Sequence, residues 1–307
     1  MARSLILVPL FAMLGASAPV QETRDGGDFS ISVNVRLAVF NVSVTDNSGR
    51  HVTGLKATDF KVSEEGQSKE IKLFNAEDAP ATVGLIIDNS GSMRTKRTDV
   101  QRAALAFIGA CNPADELFVV HFNEKLIVGL PPETPFTSDF EKIRAALIQP
   151  NPDGRTALYD AVAAGLDRLK SGMHDRKALV VLSDGGDNAS RRKIDDVLGA
   201  ASRSFATIYT IGIYDETDPD KNPGVLRRIA HAGGGRAYFP QSLANLDKVW
   251  RDIASEIRGQ YTIGYVPISN DNRRFRTVKI VASRGGRTLR VATREGYIIP
   301  DESEIFR

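Results

Sequence analysis

A short apolar run that ends on a carboxylate constrains this chain more than any other stretch. Val83-Gly84-Leu85-Ile86-Ile87 has the length of a strand rather than a helix, and it stops at Asp88. A run with no polar alternation belongs in the middle of a sheet, covered on both faces. Asn89-Ser90-Gly91-Ser92 then supplies a tight turn with two hydroxyls, and a helical pattern begins about a turn later. A carboxylate at the carboxyl end of a buried strand, followed by hydroxyls at alternate positions, sets three oxygens around one point. That donor set suits a hard divalent cation such as Mg²⁺.

Asp88-x-Ser90-x-Ser92 resembles the metal-ion-dependent adhesion site of von Willebrand factor A (VWA) domains. The resemblance implies that a Thr on one later loop and an Asp on another complete the site. The matching positions are Thr156, in Gly154-Arg155-Thr156-Ala157, and Asp184, in Leu182-Ser183-Asp184-Gly185-Gly186. It covers roughly residues 80–258 and departs at none of the five ligand positions. It also implies Mg²⁺ as the cofactor, with Mn²⁺ or Ca²⁺ as alternatives, and a protein partner that presents Asp or Glu to the ion. Each residue has a plainer reading beside this one. Thr156 is a good N-cap for the helix after it, and Ser90, Ser92 and Asp184 are ordinary turn residues.

The length of 307 residues suits about two domains, and a net charge of +2 with 25% charged residues gives no electrostatic case for nucleic acid. Met1 to Val20 reads as a secretory signal peptide: Arg3, then an apolar segment from Leu5 to Leu14, then Gly15-Ala16-Ser17-Ala18. The apolar part falls short of the roughly 20 residues of a spanning helix. An uncleaved N-terminal segment is the one route to a membrane that the sequence offers. The expected location is therefore secreted, periplasmic or on the cell surface. Cys111 is the only cysteine, so no internal disulfide forms, and it reads as a small buried residue at a helix end.

The expected fold is α/β: a doubly wound, mostly parallel sheet with helices on both faces, inserted in an antiparallel β-sandwich formed by the two flanks. The first flank, residues 30–79, turns to strand patterning at Ile31, reaches the Asp46-Asn47-Ser48-Gly49 turn, and then gives a helical turn over Leu55 to Phe60. Phe60 to Gly66 and Ile71 to Phe74 read as a hairpin. These strands are too few for a stable sheet. The missing partners are the strands at Tyr261 to Val266, Thr277 to Val281 and Thr288 to Val291 in residues 259–298, with 299–307 as a tail. The closing Arg294-Glu295-Gly296-Tyr297 resembles that of bacterial exported VWA-related proteins. Over 80–258, strand and helix alternate, and in such sheets ligands bind beyond the carboxyl ends of the strands.

Arg94, Arg97, Arg155 and Arg191 cluster near the predicted rim, as a basic collar that steers an acidic partner or as plain solvated charge. The acidic run Asp215 to Asn222 fails as an EF-hand, because Pro223 stands where that loop needs Gly and Ile229 where it needs Glu. Enzyme motifs are missing: the four histidines are scattered, and no Gly-x-Ser-x-Gly elbow, phosphate-binding Lys loop or His-Glu-x-x-His pair occurs. A metal-dependent hydrolase would need a base, and the spare carboxylate on that loop is Asp187. The reading is a non-enzymatic, metal-dependent adhesion-type module. The alternatives are an assembly protein whose metal only rigidifies the rim, and the hydrolase.

Overall fold

The computed structural model describes residues 37–76, 78–148, 153–214, 218, 220–268 and 274–298. The leader, the Ile31 end of the first strand pattern, the Asn270-Asp271-Asn272 turn and the tail lie outside these residues. The first flank contributes β1 (Ala38–Thr45), a 3-10 turn at Ala57–Asp59, β2 (Phe60–Glu64), β3 (Gln67–Lys69) and β4 (Ile71–Asn75). The hairpin is β2 with β3, not β2 with β4 as the sequence suggested. Glu64 faces Gln67 across a two-residue turn in which Glu65 (φ 50°) and Gly66 (φ 80°) are both left-handed. That is the geometry a twisted hairpin prefers, and a Glu at its first position hides the signal. β4 instead pairs with a strand from the far end of the chain.

The central sheet begins with β5 (Ala81–Asp88), whose residues are all buried. It continues through α1 (Arg97–Ala110), β6 (Glu116–Phe122), β7 (Leu126–Val128), α2 (Phe140–Leu147), α3 (Leu158–Leu169), β8 (Arg176–Ser183), α4 (Ile194–Arg203), β9 (Thr207–Gly212), α5 (Pro223–Ala232), β10 (Ala237–Tyr238) and α6 (Leu246–Arg258). The strand order is β10-β9-β8-β5-β6-β7, parallel except for β7. Helices α1, α2 and α6 pack on one another over one face, with Phe107 and Trp250 rings 4.9 Å apart, and α3, α4 and α5 pack over the other. Gly84 lies at the centre because nothing larger fits: a Cβ there would sit 2.4 Å from the Phe118 ring.

The second flank supplies β11 (Tyr261–Tyr265), β12 (Phe275–Arg284), β13 (Arg287–Ala292) and β14 (Gly296–Ile298). All flank strands join one antiparallel sheet, β3-β2-β12-β13-β1-β11-β4, with β14 on β12. This sheet folds over on itself, since Phe60 of β2 packs against Tyr261 of β11 and Phe74 of β4 at 5.1 and 5.6 Å between rings. The two flanks thus share a core of their own, separate from that of the central sheet.

The flanking sheet grips the central one at the amino ends of its strands. Arg294 is the chief fastener. Its guanidinium donates to Ser204 O at 3.0 Å and Val39 O at 2.8 Å, between the rings of Phe40 and Phe205. Arg236 donates to Thr45 Oγ1, and His51 meets the buried Glu256 of α6 at 3.5 Å. The carboxyl ends of the strands therefore point away from the flanks.

Candidate metal centre

Three loops meet at that free end. β5 and β8 are neighbours with β5 at the switch in strand order, so Asp88 and Asp184 leave adjacent strand ends where open α/β sheets bind ligands. Backbone hydrogen bonds stitch the loops: Gly91 N donates to Gly154 O, Asp153 N to Asn89 O, and both Asn188 N and Ala189 N to Thr156 O.

Within this frame the five residues from the sequence fall into two groups. Asp88 is buried and doubly held: Oδ1 accepts Ser90 N at 2.9 Å and Oδ2 accepts Ser183 Oγ at 2.6 Å. Ser90 Oγ lies 3.2 Å from Ser92 Oγ, and Ser92 Oγ donates to Asp184 Oδ2 at 2.6 Å, so one string of oxygens crosses from the β5 loop to the β8 loop. Asp88, Ser90, Asp184 and Thr156 are buried, whereas Ser92 is exposed. Thr156 sits on the third loop, held by its N–H on Asn188 Oδ1 at 2.9 Å.

The plain reading of Thr156 as a helix cap does not hold. Ala157 occupies the N-cap of α3 without a side-chain cap. The first-turn amides are served from the β8 loop, Tyr159 N by Asp187 Oδ2 at 2.8 Å and Asp160 N by Ser190 Oγ at 3.1 Å. The Thr156 hydroxyl is thus not spent on the helix. Asp187, the spare carboxylate of the hydrolase reading, also accepts Ser190 Oγ at 2.6 Å and is committed to structure.

Burial, and after it the nearby negative charge of Asp184, push the Asp88 carboxyl up to about 7, against the opposing hydrogen bonds from Ser183 and Ser90. Two carboxylates facing hydroxyls in a buried setting form a donor set that a divalent cation would satisfy and that protein groups alone leave electrostatically strained. No group of three or more His, Cys, Asp or Glu side chains gathers among the described residues, so any ion here would depend on the hydroxyls.

The fold around these loops is that of a known family. The family model for the von Willebrand factor type A domain matches residues 83–186. Among solved structures, a von Willebrand factor type A protein from Catenulispora acidiphila shares 17% identity at a TM-score of 0.52, over 88% of this chain and 75% of that one. Proximal thread matrix protein 1 from the mussel byssus, described with a zinc-occupied MIDAS motif, shares 16% at 0.51, over 63% of this chain and 49% of that one. BatB from Bacteroides thetaiotaomicron shares 16% at 0.46, over 58% of this chain and 98% of that one. No curated protein matches the sequence. At these identities the likeness is one of fold: the central sheet and its helices have the fold of a VWA domain.

Around the VWA rim the four collar arginines differ. Arg94 pairs with Asp153 at 3.5 Å, both well exposed. Arg97 donates to Ile148 O at 2.7 Å, toward the end of α2. Arg155 is exposed, with its backbone N–H on Glu124 Oε2, and Arg191 is exposed, with its N–H on Asp160 Oδ2. The acidic loop joins the rim where Asn222 N donates to Asp184 O at 3.0 Å. His121 is a packed strand residue, with Nε2 2.9 Å from Ala146 O and its basicity lowered by burial. Sequence reasoning missed Ser183 and Asn188, the residues that orient Asp88 and Thr156. Ser183 was findable as the hydroxyl that precedes Asp184 at the end of β8. Asn188 carried no signal, because its role depends on a loop more than thirty residues away. Among the described residues no helix is long and apolar enough to cross a membrane.

Proposed function

We propose that the VWA rim is a divalent-cation site that captures an acidic side chain of a protein partner. The observation that carries this reading is the string Ser90, Ser92, Asp184 set in front of a buried Asp88. Asp88, Ser90, Ser92, Thr156 and Asp184 would hold the ion, with Mg²⁺ first in mind and Mn²⁺, Ca²⁺ or Zn²⁺ as alternatives. The zinc described in the mussel neighbour is a precedent for a metal at this place in the fold. Bound there, the cation would supply an electrophilic position for a carboxylate, because two Asp ligands leave little excess negative charge on it. The residues of this chain do the rest. Ser183 orients Asp88, Asn188 orients Thr156, and exposed Arg94, Arg155 and Arg191 raise the encounter rate with an acidic surface. The exported location expected from Arg3 and Leu5 to Leu14 would put such a module in front of secreted or surface partners.

Thermal unfolding in chelator and then with Mg²⁺ or Mn²⁺ tests the site, beside Asp88→Ala. An ion at about 100 times its Kd adds about 2.7 kcal/mol, a rise of about 5–10 °C for a protein of this size. A rise confined to the unmutated protein supports the site, and equal behaviour of the two proteins removes it.

A further inference from the structure

We infer that the groove between α5 and the outer edge of β10 binds an extended acidic segment of the partner whose carboxylate the metal rim captures, an inference that rests on the proposed function. The groove is shallow, about 610 Å³, and is lined by Arg227, Arg228 and Arg236 beside His231, with no carboxylate among its lining residues. Arg236 is itself held by the buried Glu256 at 3.6 Å and by Thr45 Oγ1, which leaves Arg227 and Arg228 as the cations that face outward. The Arg227 guanidinium carbon sits over the Phe239 ring, 4.4 Å from its centroid, and the side chain is exposed and in no ion pair among the described residues. A cation held over a ring loses little freedom on meeting a carboxylate, and its donor fork is left open to one. Arg228 and His231 meet Asp195 at 3.3 Å and Glu295 at 3.1 Å, but all four side chains are more than half exposed. Such pairs are weak and exchange readily for a better-placed carboxylate.

The backbone favours a peptide over other polyanions. β10 is the outermost strand and pairs only with β9 among the described strands. Arg236 O accepts Thr210 N from the β9 side. In a parallel pair alternate residues turn both polar groups to one side, so Ala237 turns its N–H and C=O to the open edge. A peptide strand can answer both groups while its acidic side chains reach Arg227 and Arg228, whereas a sulfated sugar can use the cations alone.

The groove also shares a wall with the metal rim. Phe239 packs on Gly212 so closely that a Cβ there would lie 2.6 Å from the ring. Leu226 of α5 fills the space between Gly212 and Gly185, and Gly185 adjoins Asp184. The buried Leu226 thus underlies both surfaces, and a single extended segment, advancing about 3.3 Å per residue, would join them.

The probe is a labelled peptide of alternating Glu and Val, about ten residues long, read by fluorescence anisotropy against the full chain in chelator. Saturable binding that weakens at least about tenfold in Arg227→Glu with Arg228→Glu, in protein that still unfolds cooperatively, supports the inference. Binding that is undetectable, or unchanged in the variant, overturns it. Tighter binding of a heparin fragment than of the peptide also overturns it, in favour of a polysaccharide site. A Mg²⁺ titration of unfolding on the same samples scores the rim separately. A thermal rise without peptide binding removes the groove and leaves the metal site, and peptide binding without a rise does the reverse.

Discussion

Ser183 Oγ donates to Asp88 Oδ2 at 2.6 Å, across two neighbouring strands and one residue before Asp184. The two carboxylates of the rim are thereby fixed by one strand end: Ser183 aims the first, and the next residue is the second. Ser183 also accepts Gly185 N at 3.0 Å, so its hydroxyl serves both loops.

Ser183→Ala leaves a buried Asp88 oxygen without its donor. We expect a loss of about 1–3 kcal/mol in chemical denaturation and a smaller Mg²⁺-induced thermal rise. Unaltered stability would show that Asp88 finds another donor.

The elevated Asp88 carboxyl makes the rim pH-dependent. Its folded value near 7 lies above the ordinary 3.8, so in chelator its contribution to stability is full below about pH 4 and is lost as pH rises through 7. A cation needs the ionised form, so metal affinity moves the opposite way and falls about tenfold per pH unit below 7. The Mg²⁺-induced thermal rise should be large at about pH 8 and nearly absent at about pH 5.5. A rise of constant size over that window contradicts the assignment of Asp88 as ligand.

Asp187→Ala removes the acceptor for Tyr159 N at the start of α3. The expected cost is about 0.5–2 kcal/mol, as for other lost helix caps. The Mg²⁺-induced rise should persist, because Asp187 holds the helix and not the ion. Calorimetry with and without metal separates the two effects.

Arg294→Ala strips the hydrogen bonds from Val39 O and Ser204 O and empties the space between Phe40 and Phe205. We expect a loss of about 2–4 kcal/mol. Arg294→Lys should recover little of it, because two different guanidinium nitrogens serve the two carbonyls and a single ammonium cannot replace both. If Arg294 is the fastener between the two sheets, probes in each should cease to unfold together in the Ala variant.

The central sheet was readable because its signals are local. The unbroken apolar run before Asp88 and the one before Ser183 could only be covered strands, and the rim follows from where they end. α2 likewise starts where a local signal stands, at Phe140, because Asp139 caps it from the adjacent position. Features that depend on distant residues were not readable. The β2–β3 turn was hidden by a Glu in a left-handed conformation, and β14 looked like a motif rather than a strand. Gly296 is required there because a Cβ would press on Arg276 O. At the rim, the residues facing the site were legible as types, but the helix cap supplied by Asp187 and the turn of Arg97 toward Ile148 O arise only when separate loops meet.

β4 and β11, the strands by which the chain enters and leaves the central sheet and its helices, are hydrogen-bonded to each other from Ile71 and Tyr265 to Asn75 and Thr262. The domain is therefore a loop closed at its neck. A mechanical pull between the two flanks would load the ladders that join them, β2–β12, β1–β13, β1–β11 and β4–β11, and pass around the inserted sheet rather than through it. A contact made at the rim could then stay in register while the flanks are under tension, until the neck itself unzips.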